Sequence, residues 1–577
     1  MPIENLIPST EPEPEKSSSG KQRIGLCLSG GGFRASFFHL GTIRYLEEAG
    51  IMENVEVVST VSGGSIIGAY YLVEMERKLR AQPNLDRLTA CDQIIQDFSA
   101  VVSKNLRMRA LVFFPFFHPW LMALKLLRLR HFGDTMAKEF EKHLFSPKLR
   151  LGDLPVQSSS GHSGPRILIN TTSLVTGLRV VFSRESDTGL EAQIAKLDPN
   201  EIPLARVVGA SAAVPGLFKP LQIGNEVLAD GGVVDNQGIE SLFDYFEISD
   251  AQMNLLPQAF RQVPKDKDST RPTCLIVSDA AGQFSVQAVK NVTRLGSASR
   301  SMEILQAANR RKILKLLLES HRSEKITTFA FTHLAQNLKG SVRDGASMER
   351  LPSELIASTA RIRTDLDEFS LVEREVLIYH GYTLMKNRVG KHCPELLKPA
   401  SGSKPESSKE WPPRFVPLVD LSGGNSRRAS ESRNRLQKFL NVSDSQWFRD
   451  VRRFPGSFGG ILFAFAAGGW ILSDFLLSTN LPRIGVPAKD WLRDGIMNTI
   501  ASLVPAYDLG VINLEFLENA LSITGGNFVG TIELVATIIC VAFAFYMALF
   551  VYWGMKQWLQ LPEWREEKML ARLKAIK

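Results

Sequence analysis

A serine that precedes two glycines is the first candidate for chemistry. Ser62 lies in the run TVSGG at residues 60–64, between an apolar stretch of strand type and an apolar stretch of helix type. A serine on such a tight strand-to-helix turn is forced outward, and only small neighbours allow that geometry, as in the G-x-S-x-G nucleophile elbow. Thr60 replaces the first glycine of this pattern. The spacing indicates a nucleophile, with a plain glycine-rich turn as the alternative.

A second glycine-rich run offers a site for an oxyanion. Residues 28–34 read LSGGGFR and pass from a predicted strand into a predicted helix. Backbone N–H groups at a helix N-terminus stabilise negative charge, so Gly30, Gly31 and Gly32 are candidate donors. A phosphate loop and a dinucleotide fingerprint are the alternatives. Both are disfavoured, because no Gly-Lys-Ser/Thr ends the run and no acidic residue occupies the ribose position.

A third motif, DGG at residues 230–232, offers a carboxylate after a strand-like stretch. Taken alone, Asp-Gly-Gly is a hairpin turn more often than a catalytic site. A histidine-dependent triad is not favoured, since His39 falls on the apolar face of a predicted helix and is interpreted as a packed core histidine. His392 and Cys393 lack partners at ligand spacing, so we predict neither a metal site nor a cofactor.

Taken together and in this order, the three motifs resemble those of the patatin-like phospholipase family. That family carries a G-G-G-x-R loop, a G-x-S-x-G elbow and a D-G-G/A aspartate, and residues 209–218 (GASAAVPGLF) look like its A-S-x-A-x-P-x-x-F block. The resemblance covers roughly residues 23–391 and implies a Ser-Asp dyad that works without histidine. It assigns these roles: nucleophile Ser62, base Asp230, oxyanion donors Gly30, Gly31 and Gly32, and supporting residues Arg34 and Gly64.

Short apolar strands and amphipathic helices alternate around these motifs, which is typical of an α/β domain with a largely parallel sheet. Strands are predicted at residues 23–28, 55–60, 166–170, 179–182, 226–229 and 273–277, and helices at 37–46, 66–75 and 301–320. We therefore predict a three-layer α/β/α hydrolase domain over residues 23–398. A segment at 107–131 mixes aromatic, aliphatic and basic residues, and is equally consistent with an interfacial lid and with a buried excursion.

The flanking regions differ in composition from this domain. Residues 1–22 are predicted to be a disordered tail and residues 399–450 a flexible linker, since both are rich in polar residues and proline. Residues 451–577 are predicted to be a membrane anchor, because the runs at 458–477 and 534–553 are long enough to cross ~30 Å of hydrocarbon. Buried helices of a second soluble domain are the alternative. Basic flanks around an acidic intervening loop predict that the hydrolase domain faces the cytosol.

The overall composition is consistent with this assignment. The formal net charge of +8 suits either nucleic acid or an anionic membrane, and no nucleic-acid module is recognisable, so we expect no nucleic-acid partner. Five scattered cysteines without CxxC spacing indicate a reducing environment. The expected substrate is a membrane phospholipid or another acyl ester. A lysophospholipase, a neutral-lipid lipase, an acyltransferase and an inactive lipid-binding scaffold stay open, as does the oligomeric state.

Overall fold

The computed structural model describes ten ranges of the chain. They are residues 22–102, 106, 134–155, 164–184, 198–215, 218–248, 273–282, 294–338, 351–397 and 427–443. The chain divides into two compact units. The first comprises residues 1–285, 303–447 and 566–577, and it holds all the motifs discussed above. Of the second unit, only residues 294–302 are described, and they are helical.

Eight strands form one mixed sheet. They are β1 Arg23–Leu28, β2 Val55–Val61, β3 Arg166–Ser173, β4 Arg179–Phe182, β5 Leu221–Ile223, β6 Glu226–Asp230, β7 Thr273–Asp279 and β8 Thr328–His333. The strand order is β5-β6-β3-β2-β1-β7-β8, and β4 pairs with β3. The strands from β3 to β8 along this order are parallel, whereas β4, β5 and β6 are joined by antiparallel pairings. The predicted strands are confirmed, and the sheet is mixed rather than largely parallel because three antiparallel strands extend one side.

The described residues also form ten α-helices. They are α1 Gly32–Glu48, α2 Gly63–Ala81, α3 Arg87–Val102, α4 Asp134–His143, α5 Leu204–Ser211, α6 Ile239–Tyr245, α7 Arg294–Arg322, α8 Ser353–Ala360, α9 Leu371–His392 and α10 Arg427–Ser443. The three predicted helices correspond to α1, α2 and α7. The sequence analysis did not predict the others, several of which are short or carry few apolar residues.

Two hydrophobic clusters lie on opposite faces of the sheet. Alternate residues of β1 divide between them, with Leu26 and Leu28 in the larger cluster and Cys27 in the smaller. Successive side chains of a strand point to opposite faces, so this division places helices on both sides of β1. Every residue of β1 and of β2 is buried, as expected for central parallel strands. The arrangement is consistent with the predicted three-layer α/β/α architecture.

The helix α10 corrects the prediction for residues 399–450. Part of this predicted flexible linker, residues 427–443, is helical, and Leu436 and Leu440 are buried in the larger cluster. The Ser443 hydroxyl completes a buried ion pair in which Arg363 Nη1 lies 2.6 Å from Glu373 Oε1. The linker interpretation fails here because a few apolar residues at helical spacing give this otherwise polar segment a face that packs on the domain.

No helix within the described ranges is long and apolar enough to cross a membrane. The predicted spans at residues 458–477 and 534–553 lie outside those ranges, as do the segment at 107–131 and all but the last residue of the predicted tail at 1–22. These interpretations therefore stay predictions.

Candidate active site

The backbone at Ser62 has the geometry of a nucleophile elbow. Ser62 joins β2 to α2 with φ 50° and ψ −116°, a conformation that a residue with a side chain rarely adopts. Such backbone strain costs on the order of 1–3 kcal/mol and persists only where the surroundings hold it in place. The two following residues allow a close approach to β1 and its loop. A Cβ on Gly63 would lie 2.0 Å from the Gly32 carbonyl oxygen, and one on Gly64 would lie 2.1 Å from that of Leu28.

A buried hydroxyl holds the elbow in place. The Ser62 N–H donates to Ser211 Oγ at 3.0 Å, and Ser211 Oγ donates in turn to the Asn170 carbonyl at 2.6 Å. Ser65 Oγ lies 2.8 Å from the same hydroxyl. Ser211 ends α5, within the block at residues 209–218, but the sequence analysis gave it no role. It satisfies the amide of the strained residue and so stabilises the turn.

Asp230 lies beside Ser62 at the end of β6. Its carboxylate interacts with the Ser62 side chain and accepts a hydrogen bond of 2.7 Å from the Gly232 N–H. Its own N–H donates to the Ala213 carbonyl at 3.0 Å, two residues after Ser211. The end of α5 thus holds both predicted dyad residues. Burial raises the pKa of Asp230 to about 6, although the interactions with Ser62 and with the Gly232 N–H lower it.

The three glycines of the loop differ in their backbone hydrogen bonding. Gly31 and Gly32 have φ values of 138° and 58°, a region that favours glycine. Their N–H groups form no hydrogen bond to any part of the chain that the structure describes. The Gly30 N–H, in contrast, donates to the Asn236 carbonyl at 2.9 Å. The role of Gly30 as an oxyanion donor stays a prediction, and it would require this hydrogen bond to be shared or broken.

Arg34 supports this loop from behind. Its buried guanidinium donates to the carbonyls of Ile362, at 2.9 Å, and Ala280, at 3.1 Å. The Phe33 N–H donates to the Asp365 carbonyl at 2.8 Å, which fixes the first turn of α1 to the same neighbouring segment. Arg34 thus acts on the position of the loop, and Gly64 acts by letting the elbow approach β1.

His39 is part of the core, as predicted. Its Nδ1 lies 2.8 Å from Ser278 Oγ, and its Nε2 lies 2.9 Å from the Ser29 carbonyl oxygen. Burial lowers the pKa of His39 to about 4, so the ring is neutral near pH 7. The Nε2–H therefore donates to the Ser29 carbonyl, which helps to fix the residue just before the glycine loop. Within the described ranges, no group of three His, Cys, Asp or Glu side chains could hold a metal ion.

Thr60, which departs from the elbow pattern, is accommodated by a glycine one helical turn into α2. The Thr60 hydroxyl donates to the Leu168 carbonyl at 3.1 Å and accepts from Ser65 Oγ at 3.0 Å. Its methyl group would lie 2.8 Å from a Cβ on Gly68. The larger residue at position 60 thus requires the smaller one at position 68.

This steric pairing can be tested by a double-mutant cycle. We expect Gly68→Ala to lower the free energy of unfolding by about 1–3 kcal/mol, since the added methyl overfills a packed contact. Adding Thr60→Ser should recover most of this loss, because serine keeps the hydroxyl and removes the clashing methyl. Chemical denaturation of the four proteins gives the coupling energy. Additive effects would contradict the pairing.

The amino-acid sequence also matches a known family. Residues 26–243 match the family model described as patatin-like phospholipase. This part of the chain is similar to that family. This match spans the glycine loop, Ser62 and Asp230, and it confirms the predicted enzyme class, a lipid hydrolase of the esterase type. Residues outside this match also support the glycine loop, since the carbonyls of Asp365 and Ile362 accept from Phe33 and Arg34.

Solved structures show more distant similarity. VipD from Legionella pneumophila is 14% identical, with 85% of this chain and 89% of that chain covered and a TM-score of 0.26. Human GIVD cytosolic phospholipase A2, in complex with methyl gamma-linolenyl fluorophosphonate, is 14% identical, with 65% and 58% covered and a TM-score of 0.33. Neither similarity is close enough to transfer the role of a residue to this chain. No curated protein sequence matches the chain significantly.

Proposed function

We propose that the protein is a membrane-anchored acyl hydrolase that cleaves ester bonds of phospholipids or related acyl lipids, with Ser62 as nucleophile and Asp230 as base. One observation carries this proposal: the Ser62 side chain, on a strained strand-to-helix turn, interacts with the buried Asp230 carboxylate. A strained serine beside a base is the arrangement that activates a nucleophile. No histidine is needed in this scheme.

The first half of the reaction acylates the enzyme. Asp230 accepts the Ser62 proton while Oγ attacks the ester carbonyl carbon, and the carbonyl π electrons move onto oxygen. The Gly31 and Gly32 N–H groups, at the N-terminus of α1, are free to stabilise that oxyanion. When the tetrahedral intermediate collapses, the protonated Asp230 gives its proton to the departing alcohol oxygen.

The second half of the reaction releases the fatty acid. Asp230, again ionised, accepts a proton from a water whose oxygen attacks the acyl carbon. The intermediate collapses with return of that proton to Ser62 Oγ, which regenerates the dyad. A pKa of about 6 for Asp230 suits both directions of transfer, since the carboxylate is ionised at pH 7 yet holds a proton better than an exposed aspartate would.

The proposed location is a membrane, with the hydrolase domain on the cytosolic side. It is supported by the two 20-residue apolar runs at 458–477 and 534–553 and by the basic residues that flank them. Membrane lipid would then be the substrate available to the enzyme. An anchor of this kind also keeps the domain close to its substrate without a specific receptor.

An active-site-directed fluorophosphonate probe tests the nucleophile in the full-length protein. We expect the parent protein to be labelled and Ser62→Ala to be unlabelled, because the probe bonds only to an activated hydroxyl. Ser323→Ala, which removes an exposed serine after α7, is the control and should be labelled like the parent. Persistent labelling of Ser62→Ala would exclude Ser62 as the nucleophile.

A panel of lipid classes, with mass spectrometry of the products, tests the bond that is cleaved. We expect release of a fatty acid from a diacyl phospholipid. Release only from lysophospholipid or from neutral glycerides would reassign the substrate class, and acyl transfer to an added alcohol would indicate a transferase. Absence of both label and product would support the inactive scaffold instead.

A further inference from the structure

Most of the exposed large apolar side chains in the described residues surround one end of the sheet. Six such side chains are exposed: Leu174, Val175, Val227, Ile304, Leu305 and Leu397. The carboxyl ends of β1 and β2 carry the glycine loop and Ser62, and we call this the catalytic end of the sheet. All of them except Leu397 lie at the catalytic end, as the strand pairings and hydrogen bonds described below indicate.

The hairpin between β3 and β4 extends past the catalytic end. Val61, the last residue of β2, pairs with Asn170, and Asp230 pairs with Thr171. The strand β3 then continues to Ser173, about 10 Å beyond Asn170 at roughly 3.3 Å per residue. The tip of the hairpin follows, where Leu174 and Val175 are 52% and 62% exposed. Two aliphatic side chains thus stand in solvent just beyond the dyad.

Hydrogen bonds, not burial, fix the backbone of this tip. The Leu174 N–H donates to the Val227 carbonyl at 2.8 Å. Ser173 Oγ accepts from the N–H groups of Val175 and Thr176, at 3.1 and 3.0 Å, and donates to the Glu226 carboxylate. The backbone of the turn is therefore fixed while its apolar side chains are exposed to water. This exposure costs free energy, which contact with an apolar phase would recover.

A second exposed apolar pair lies on α7. Ile304 and Leu305 are 46% and 64% exposed. The next residue, Gln306, donates through Nε2 to the Gly232 carbonyl at 3.4 Å, so this pair is adjacent to the Asp230 turn. Exposed Arg311 and Lys312 follow about two turns later. Apolar side chains beside cations fit an interface where acyl chains meet phosphate groups.

The remaining residue, Leu397, lies at the opposite end of the sheet. The nearby Glu395 carboxylate accepts from the hydroxyl of Thr328, the first residue of β8, at 2.8 Å. Because β8 is parallel to β7 and β1, its first residue marks the end away from Ser62. Leu397 is 36% exposed and provides a natural control.

We propose that Leu174, Val175, Val227, Ile304 and Leu305 form a lipid-docking rim, which seats the catalytic end of the domain on a phospholipid surface. This inference rests on the proposed function, since it names the surface from which the dyad takes its substrate. A lipid surface fits better than a protein partner because the apolar residues lie near the Asp230 turn at the catalytic end, where an acyl chain must enter. The cations on α7 match phosphate headgroups.

The first experiment reports contact with lipid independently of catalysis. A fluorophore is attached to Val175→Cys or to Leu397→Cys in the full-length protein, with Cys540 replaced by serine, since the four described cysteines are buried. Each protein is reconstituted into phosphatidylcholine and phosphatidylglycerol vesicles that contain a doxyl-labelled phospholipid as quencher. We expect strong quenching at position 175 and little at position 397. Equal quenching at the two positions, or none at 175, would overturn the rim.

The second experiment compares two forms of substrate. Rates are measured on phospholipid in mixed micelles and on a water-soluble short-chain ester. In Leu174→Ser/Val175→Ser we expect the ratio of micellar to soluble rate to fall about tenfold, because two apolar contacts with lipid are lost. Leu397→Ser should keep the parent ratio. An unchanged ratio in the double variant would refute the rim, whereas failure of the parent to cleave either ester would count against the proposed function alone.

Discussion

Asp230→Asn is expected to lower kcat/KM for a phospholipid ester by roughly a thousandfold, since a positioned general base contributes on the order of 10²–10⁴. Asparagine keeps the size of the side chain and can still accept from the Gly232 N–H, so the turn at residues 230–232 should persist. It cannot take the Ser62 proton. Steady-state kinetics on micellar phospholipid measure the effect. Activity within tenfold of the parent would exclude Asp230 as the base.

The pH profile separates a catalytic from a structural cause. Asp230 must be ionised to act as base, and burial raises its pKa to about 6. The kcat/KM of the parent should therefore rise with pH through about 6 and then level off. The residual activity of Asp230→Asn should lack this inflection. A profile that keeps the inflection would assign it to another group.

The raised pKa of Asp230 also has a consequence for stability. It is about 6 in the folded protein against an ordinary value of 3.8, so the folded state holds the proton more tightly than the unfolded chain. The favourable contribution of this proton is complete below pH 3.8 and is lost as the pH rises through 6. At pH 8, Asp230→Asn should then raise the free energy of unfolding by about 1–3 kcal/mol, because a neutral amide replaces a buried charge. Thermal unfolding at pH 5 and pH 8 checks the sign.

Gly63→Ala is expected to abolish activity and to destabilise the domain. A Cβ at this position would lie 2.0 Å from the Gly32 carbonyl oxygen, which belongs to the backbone and cannot rotate away. The elbow and the glycine loop would have to separate, and a displacement near 1 Å at a reacting centre costs about 10²-fold or more in rate. Probe labelling of Ser62 together with kcat measures the loss.

Gly390→Ala is the matched control for this substitution. Gly390 lies in α9, and no neighbouring atom comes within 4 Å of the position that a Cβ would take there. Alanine should leave activity intact and stabilise the helix by about 0.5–1 kcal/mol, since glycine is a weak helix former. If Gly63→Ala behaved like Gly390→Ala, the close approach of elbow and loop would not be required for catalysis.

Local patterns sufficed to predict the strands that carry the site. The run of apolar residues before Ser62 and the glycines after it encode a strand, a tight turn and a helix, and all three are found. The sequence analysis missed what depends on distant contacts. Ser211 holds the Ser62 amide from 149 residues away, and Ile362 accepts from Arg34 across 328 residues. No periodicity within one segment reports such a pairing.

The hydrogen bond of the Gly30 N–H also depends on a distant contact. A run of three glycines predicts three backbone N–H groups at a helix N-terminus, but which of them is free depends on what lies opposite. Asn236, from the segment after Asp230, accepts from the Gly30 N–H. A signal for Ser211 is present in the block at residues 209–218 (GASAAVPGLF), where a serine lies among small residues. Small neighbours leave room for another turn of the chain to approach its hydroxyl.

The position of α10 determines where the protein can be truncated without damage to the domain that holds the candidate active site. A fragment that ends at residue 398 would contain every residue of the dyad and the glycine loop, yet it would expose the apolar surface covered by Leu436 and Leu440. It would also remove the Ser443 hydroxyl that contacts the buried pair of Arg363 and Glu373. Arg363 lies two residues before Asp365, whose carbonyl accepts from the first turn of α1. A fragment from residue 22 to residue 443 retains both. Expression and crystallisation of a water-soluble form should begin from the longer boundary.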